Sequence, residues 1–397
     1  EDALKVIRLS ETVVGSRSSM LMYFKAWCML KAGKQAEAEE VMSKAESERP
    51  GAYFSNRLED ILALEDLCRL SGKSSRALYH LGNIWYDKRQ YDKAIDCWER
   101  SAAQDETFPT VLRNLALAYY NKIRDERKAA EALEKAFSLD TSDARVLMEL
   151  DQLYRQMNKP FSDRLAVLDR HFDLVESRDD LYLSYVTLLN QYGRYDDALS
   201  MIRKRKFHPW EGGEGKVTEQ YQIALLEKCK SLLSDGRTDE ALKMVDECFV
   251  YPENLGEGKL IIAEENDFHY YRGLVLDAMG RKEEACKEFM MASEGNSTPA
   301  AAVYYNDQKP DKIFYQGLAL HRLGRENEAK GKFNSLVEYG EKHIFDKFKK
   351  DYFAVSLPDL QIWECDMDRK NEVHCDYLIA LGNIGLGNNS VAGKYLD

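Results

Sequence analysis

Apolar and polar positions alternate at helical spacing between Leu78 and Glu99, the clearest pattern in the chain. Large apolar residues recur on one predicted helix face on each side of a short polar turn: Leu78, Leu81, Trp85 and Trp98. Gly82 and Ala94 are small, so the two helices can approach closely where they cross. The pattern predicts two short amphipathic helices joined by a tight turn near Arg89.

Variations of this helix–turn–helix unit recur along nearly the whole chain, and they predict an all-α fold. We expect one continuous solenoid over 1–397, a right-handed superhelix in which each unit packs on its neighbours. The predicted boundaries are regular units at about 20–50, 75–206 and 217–336, helical insertions at about 52–72 and 337–372, and a last unit at 373–397. The second insertion is predicted as two helices, His343–Phe353 and Leu360–Arg369. The last unit stops within its second helix, so we expect the natural chain to continue.

Four later turns share the pattern Gly-Arg, two variable or acidic residues, an acidic residue and Ala. They begin at Gly193, Gly236, Gly280 and Gly324, with spacings of 43, 44 and 44 residues. The glycine is predicted to end the first helix in a left-handed conformation, and the acidic residues to begin the second, where the helix dipole favours them. These spacings exceed the ~34 residues of a short repeat, so about ten extra residues should follow each second helix. The turn after Tyr119 carries one extra residue.

The units resemble the tetratricopeptide repeat (TPR), whose signature is W-x₂-L-G-x₂-Y, then A-x₃-F, then P. The best-matching unit carries six of these positions: Leu78, Leu81, Gly82, Trp85, Ala94 and Trp98. The resemblance implies a TPR-like superhelix that binds proteins or peptides.

A narrower resemblance rests on four stretches: Arg57–Asp60, Leu81–Arg89, Asn114–Asn121 and Phe207–Lys216. Together they look like the C-terminal TPR region of large bacterial proteins that carry an N-terminal β-rich domain of unknown function. In that family the β-rich domain would precede residue 1. The resemblance implies an architecture and supplies no established activity.

The composition narrows the classes of partner and compartment. The net charge is −12, and the basic run Arg203–Lys206 is four residues long, so nucleic acid is not expected as a partner. No apolar run approaches the ~20 residues of a membrane span. The eight cysteines are scattered without a C-x-x-C pair, which disfavours zinc and favours a reducing compartment. We expect a cytoplasmic protein, while export stays open because the chain does not start with Met.

Two loops between late units form the first candidate binding site, which we call the edge loops. Both combine an aromatic residue or His, a Pro, and Gly-Glu-Gly-Lys, in adjacent units 43 residues apart. The candidate residues are His208, Trp210, Glu211, Glu214, Lys216, Glu253, Asn254, Glu257 and Lys259. We expect Glu214 to approach Glu257, and Lys216 to approach Lys259, at an edge that binds a ligand or a domain. The alternative is a pair of rigid turns with local ion pairs.

The concave groove lined by the first helices is the second candidate site. Alignment of the repeats with the best-matching unit places these six side chains in the groove: Tyr79, Asn83, Tyr86, Arg113, Asn114 and Tyr120. In TPR proteins that bind chaperone tails, asparagines at the positions of Asn83 and Asn114 bind a carboxylate. Tyr79 and Glu149 replace the Lys and Arg expected there, which disfavours a C-terminal carboxylate as ligand. An extended peptide remains open, and so does a groove that these residues only pack and solvate.

No catalytic, metal or cofactor site is predicted. The seven histidines are scattered, and no Ser or Cys has a recognisable nucleophile context. Gly-Glu-Gly-Lys lacks the Ser or Thr and the preceding strand of a phosphate-binding loop. A Glu214–Glu257 carboxylate pair and a metal at His374, Cys375 and Cys365 are both disfavoured.

The sequence therefore predicts a non-catalytic scaffold that binds a peptide, a partner protein or an N-terminal domain of its own chain. The alternative is an accessory helical domain of a carbohydrate-active bacterial enzyme whose catalytic domain lies upstream of residue 1. Neither reading calls for a cofactor.

Overall fold

A computed structural model describes residues 1–13, 18–48, 54–210, 212–301, 307–347, 362–364 and 366–396. These residues form 21 α-helices and no β-strand, so the all-α prediction is confirmed. The chain divides into two compact units, Glu1–Lys159 and Pro160–Asp397. The first unit contains α1 Asp2–Val13, α2 Ser19–Lys31, α3 Gln35–Ser47, α4 Leu58–Leu70, α5 Ser75–Asp87, α6 Tyr91–Gln104, α7 Pro109–Ala118, a π-helix Tyr119–Ile123, α8 Glu126–Leu139 and α9 Ala144–Gln156.

The second unit continues the pattern of paired helices. Its helices are α10 Phe161–Arg170, α11 Phe172–Ser177, α12 Asp179–Gln191, α13 Tyr195–Lys204, α14 Lys216–Ser234, α15 Thr238–Cys248, a 3₁₀ helix Glu253–Leu255, α16 Asn266–Ala278, α17 Lys282–Ala292, α18 Pro310–Arg322, α19 Glu326–His343, α20 Met367–Gly385 and α21 Asn389–Leu396. First helices pack along the second helices of their own repeats in pairs such as α16–α17 and α18–α19. This is the architecture of a TPR-like helical array.

The tight turns close in the same way at nearly every repeat. A backbone N–H after the turn donates to a carbonyl five residues earlier, as from Gln90 to Trp85 and from Arg194 to Leu189, which satisfies an otherwise orphan carbonyl. The four late glycines have φ between +74° and +77°, which confirms the predicted left-handed conformation. In the third repeat, Asp125 donates instead to Tyr119, six residues earlier. The predicted extra residue is absorbed there by the π-helix.

Close helix crossings depend on three glycines at one register position. A Cβ added to Gly82 would lie 2.4 Å from the Trp98 ring, and a Cβ on Gly273 would lie 2.6 Å from Phe289. Gly317 has the same relation to Phe333 at 2.4 Å. Each aromatic ring therefore lies flat against a glycine of the facing helix, which confirms that residue 82 must be small.

The inserted helix α4 contacts both α2 and α5. At this junction His80 is 0% exposed, and its ring nitrogens lie 3.1 Å from Ser19 Oγ and 3.2 Å from Ser55 Oγ. The Tyr23 ring meets the imidazole edge to face, with 5.9 Å between centroids. Burial, reinforced by the positive charge of Arg76, lowers the pKa of His80 to about 4. The histidine is thus a neutral polar core residue.

The extra residues of the late repeats lie after the second helices, as predicted: between α13 and α14, α15 and α16, and α17 and α18. The insertion predicted at 337–372 differs. α19 continues to His343, residues 344–347 are not helical, and α20 begins only at Met367. The predicted helices His343–Phe353 and Leu360–Arg369 therefore differ from the structure where it describes them. The remainder of both lies outside the described residues.

Candidate functional site

The first edge loop is attached to the start of α12. The backbone N–H of His208 donates to Asp179 Oδ2 at 2.9 Å, and its ring Nδ1 lies 3.2 Å from the same oxygen. Arg205 pairs with the other carboxylate oxygen through Nε at 2.6 Å. Partial burial works against the charged form of Asp179, but the bonds from His208 and Arg205 outweigh it and lower its pKa. The His208 ring itself is largely exposed.

The second edge loop is bonded directly to the first. Asn254 Nδ2 donates to the carbonyls of Ile202 at 2.9 Å and Arg205 at 3.0 Å, which caps the end of α13. The Asn254 carbonyl in turn accepts from the Phe207 N–H at 2.8 Å. The predicted proximity of the two loops is therefore present, and backbone groups carry it.

Glu257 caps the N-terminus of α14. Its carboxylate accepts from the Gly215 N–H at 2.9 and 3.1 Å and lies 3.5 Å from Thr218 Oγ1. Burial raises the pKa of Glu257, the bonds from Gly215 and Thr218 oppose this rise, and the charge of Glu214 adds to it. Glu214 is exposed. The two glutamates thus influence each other, while Glu257 is committed to a helix terminus.

Other edge-loop residues have separate surroundings. Trp210 is half-buried and covers Gly213, where an added Cβ would lie 2.2 Å from the indole. Lys259 pairs with Glu265 at 2.5 Å. Glu253 is exposed in its 3₁₀ turn. Glu211 lies outside the described residues. The edge loops therefore form a junction between repeats, built from caps and glycine turns.

In the first unit, Asn83 and Asn114 join neighbouring first helices. Asn114 Nδ2 on α7 donates to Asn83 Oδ1 on α5 at 3.1 Å, and Trp98 Nε1 donates to the same oxygen at 3.2 Å. Asn83 is 3% exposed and Asn114 is half-buried. No described residue bonds Asn83 Nδ2 or Asn114 Oδ1. One amide donor and one amide acceptor therefore remain available side by side.

Aromatic rings flank this amide pair, although not at every predicted position. Tyr79 is half-buried and packs edge to face on Phe108, with centroids 5.0 Å apart. Tyr86 packs against Tyr91 at 5.1 Å. Tyr120, in the π-helix, is only 8% exposed. Tyr79 and Tyr86 therefore stay partly exposed on the helix that carries Asn83, whereas Tyr120 is buried.

Arg113 forms a buried ion pair on the same face. Its Nε and Nη2 atoms bond both carboxylate oxygens of Glu149 on α9, at 2.6 and 2.5 Å. Arg145 Nε adds a bond of 3.0 Å to Glu149, whose side chain is 0% exposed. Glu149, which breaks the expected carboxylate-binding pattern, is therefore the internal partner of Arg113. The sequence gave no reason to expect Arg145 in this ion pair. Arg145 is exposed and lies four positions before Glu149 in the chain.

Sequence reasoning also missed a polar cluster at the start of α18, around Gln308, Asp311 and Lys312. Its only sequence signal is the charged run Lys309–Lys312 at the beginning of a helix. Elsewhere, His374 Nε2 lies 2.8 Å from the Ala300 carbonyl, and Cys365 lies outside the described residues. Within the described ranges, no group of three or more His, Cys, Asp or Glu residues could hold a metal ion. No described helix has both the length and the apolar character needed to cross a membrane.

A family model described as TPR repeat matches residues 76–122, the region that contains the amide pair. Solved structures with similar folds include a tetratricopeptide repeat protein from Parabacteroides merdae, at 16% identity and a TM-score of 0.31, covering 77% of this chain and 100% of that chain. YrrB, a TPR protein with an unusual peptide-binding site, matches at 14% identity and a TM-score of 0.35, over 57% of this chain and 96% of its own.

The Naa15/Naa10 complex bound to HypK-THB contains a chain that matches at 12% identity with a TM-score of 0.42. The match covers 95% of this chain and 57% of that chain. Family match, paired helices and left-handed turns together identify a TPR-type repeat in this chain.

Proposed function

We propose that the chain is a non-catalytic scaffold that binds an extended segment of another protein on the first helices of the unit Glu1–Lys159. The observation that carries the proposal is the hydrogen bond between Asn83 and Asn114, which leaves the Asn83 amide N–H group and the Asn114 carbonyl oxygen without a partner among the described residues. An extended peptide presents backbone carbonyl and N–H groups that complement this pair.

The surroundings of the amides suit a peptide. Trp98 holds Asn83 in place through its indole N–H, so little side-chain freedom is lost on binding. Tyr79 and Tyr86 supply flat apolar surface for side chains of the segment. Because Arg113 already binds Glu149 through two hydrogen bonds, its guanidinium is not available to a terminal carboxylate. We therefore expect binding to depend on internal peptide bonds.

Selection of a phage-displayed library of 16-residue peptides against the whole chain tests this proposal. Enriched peptides, synthesised with an amidated C-terminus, should bind the chain when binding is measured by fluorescence polarisation. Asn114→Ala should lower the affinity for these peptides at least tenfold. Glu214→Gln, which changes the exposed edge loop of the other unit, serves as the control and should leave affinity unchanged. Equal binding by wild type and Asn114→Ala would refute the proposed site.

The segment can also belong to an upstream domain of the same polypeptide, as the narrower family resemblance implies. A longer protein that includes such a domain would then compete with the selected peptides for the same face. Its affinity for free peptide should fall at least tenfold relative to the 397-residue chain. Unchanged affinity would favour a separate protein as partner. Neither arrangement requires the accessory role in a carbohydrate-active enzyme.

A further inference from the structure

The tight turn between the two helices of a repeat places one residue in the left-handed conformation. Glycine fills this position, with φ between +74° and +80°, in six turns: Gly33, Gly193, Gly236, Gly280, Gly324 and Gly387. Two neighbouring repeats of the first unit carry arginine there instead, with φ of 58° at Arg89 and 61° at Arg124. A side chain in this conformation approaches a backbone carbonyl oxygen, so glycine is preferred. The turn itself therefore gives no reason for either arginine.

The two arginine turns lie side by side. The Lys122 ammonium, two residues before Arg124, lies 4.9 Å from the centroid of the Tyr91 ring, two residues after Arg89. This contact joins the π-helix of one repeat to the start of α6 in the preceding repeat. Arg89 and Arg124 are exposed, whereas Tyr91 and Lys122 are half-buried. The cation and the ring therefore hold the two turns next to each other.

Two further lysines lie over aromatic rings beside these turns. Lys93 Nζ lies 4.3 Å from the centroid of the Trp85 ring, and Lys128 Nζ lies 5.5 Å from that of Tyr119. An ammonium group over a ring keeps its charge while its side chain is held in place, so less side-chain freedom is lost when it binds an anion. Five residues form a surface that we call the cationic turns: Arg89, Lys93, Lys122, Arg124 and Lys128.

The charge of this region is opposite to that of the whole chain. Residues 87–93 and 122–128 contain seven Lys or Arg and four Asp or Glu, a net charge of +3 in a chain of net charge −12. Two of the acidic residues are engaged locally: Asp87 pairs with Lys88 at 2.7 Å, and Asp125 accepts a backbone N–H at the start of α8 at 2.9 Å. The surface is therefore complementary to an acidic ligand. Nucleic acid fits less well, because the remainder of the chain is strongly acidic and repels its phosphates.

We propose that the cationic turns bind an acidic segment of a partner protein, a stretch rich in Asp and Glu. The guanidinium groups of Arg89 and Arg124 would each donate two parallel hydrogen bonds to a carboxylate, and the lysines supply further positive charge. Backbone strain concentrates at binding sites, and binding of carboxylates supplies the reason for arginine at two positions that suit glycine. The inference goes beyond the proposed peptide site, since it uses neither Asn83 nor Asn114.

Fluorescence polarisation with the full chain at low ionic strength tests this surface. The probe is a labelled 12-residue peptide of alternating Glu and Ser, and its neutral counterpart carries Gln in place of every Glu. The Glu peptide should bind at least tenfold more tightly than the Gln peptide. Its affinity should fall as the salt concentration rises, because exposed charges are screened.

Arg89→Gly combined with Arg124→Gly is the decisive variant. It should lower the affinity for the Glu peptide at least tenfold and also raise the melting temperature, because glycine relieves the strain in both turns. Arg237→Gln combined with Arg281→Gln is the matched control. It removes two exposed arginines from tight turns of the second unit, each of which pairs with a glutamate. The control changes the net charge equally and should leave the affinity unchanged.

Equal binding of the Glu and Gln peptides would overturn the proposal, as would unchanged affinity in the double glycine variant. An equal loss in the matched control would also overturn it, because net charge alone would then explain binding. A lower melting temperature of the double glycine variant would contradict the argument from strain and assign the arginines a structural role. Oligothymidylate that displaces the Glu peptide at an equal or lower concentration would make the ligand a nucleic acid. Asn114→Ala should leave Glu-peptide binding intact, so this inference and the proposed function can fail separately.

Discussion

Acidification should destabilise the first unit through the buried imidazole of His80. The neutral ring fits between Ser19 and Ser55, whereas a protonated ring would place a charge in a buried site near Arg76. The pKa is about 4 in the folded chain, against 6.5 for an ordinary histidine. Because the folded pKa is the lower one, His80 lowers stability progressively as pH falls from about 6.5 to about 4.

The size of this effect follows from the difference between the two pKa values. A difference of about 2.5 units corresponds to about 3 kcal/mol once the pH is below both values, at about 1.4 kcal/mol per unit. Between pH 7.5 and pH 5, linkage gives a loss of about 2 kcal/mol. The neighbouring Glu46 has a pKa raised by burial, so its protonation favours folding and has the opposite sign.

Urea unfolding followed by circular dichroism at pH 7.5, 6 and 5 measures the effect in wild type and His80→Gln. The glutamine amide can bond both serines and does not titrate, so subtracting the two curves removes Glu46 and other shared groups. The stability advantage of wild type over His80→Gln should shrink by about 2 kcal/mol from pH 7.5 to pH 5. His321→Gln at the surface, where the ring contacts Glu326, is the control and should follow wild type.

Two results would refute this reasoning. The first is a difference between wild type and His80→Gln that stays constant with pH, which would mean that His80 titrates alike in both states. The second is a direct NMR titration of the His80 ring with a midpoint near 6.5. Either result would require water or an unseen acidic group beside the imidazole.

Three further predictions concern packing and buried charge. Gly82→Ala should lower the free energy of unfolding, measured with urea, by about 1–3 kcal/mol, because the new methyl group overlaps an indole ring. Its control is Gly331→Ala, where nothing lies within 4 Å of the new methyl group. This second substitution in a helix should raise the free energy of unfolding by up to about 1 kcal/mol. Arg113→Met should lower the free energy of unfolding by about 3 kcal/mol, since it leaves the buried Glu149 carboxylate short of its bidentate partner. Asn254→Ala should cost about 1–2 kcal/mol, measured by thermal unfolding, because two carbonyls lose their cap.

Matched surface variants separate these effects from general sensitivity to mutation. Arg127→Met breaks an exposed pair with Glu131 and should change stability by less than about 0.5 kcal/mol. Glu253→Ala alters the exposed neighbour of Asn254 and should be nearly silent. If Arg113→Met behaves like Arg127→Met, the Glu149 pair is not a buried charge. If Asn254→Ala behaves like Glu253→Ala, the edge loops are not held together by that cap.

The candidate sites show where sequence reasoning stops being sufficient. It placed Asn83 and Asn114 on one face from the register of their two repeats against the best-matching unit. It could not show that Glu149 accepts both bonds from Arg113, 36 residues away. Symmetry of the two loops predicted that Lys216 approaches Lys259, but it did not suggest that Lys259 pairs with Glu265. Equivalent positions share a backbone geometry, but their side chains choose partners from whatever packs nearby.

The sequence by itself determined the repeat unit, the all-α class, the left-handed turns and the small residue at Gly82. Each of these follows from local rules: helical periodicity, positive φ, and the space between two helices that are adjacent in the chain. Only the tertiary structure decided that Asn254 and Glu257 serve as caps, that His80 is buried between Ser19 and Ser55, and that Glu149 binds Arg113. The physical reason is that a polar group's free energy depends on its burial and on partners tens of residues away, and neither quantity is written in the local pattern.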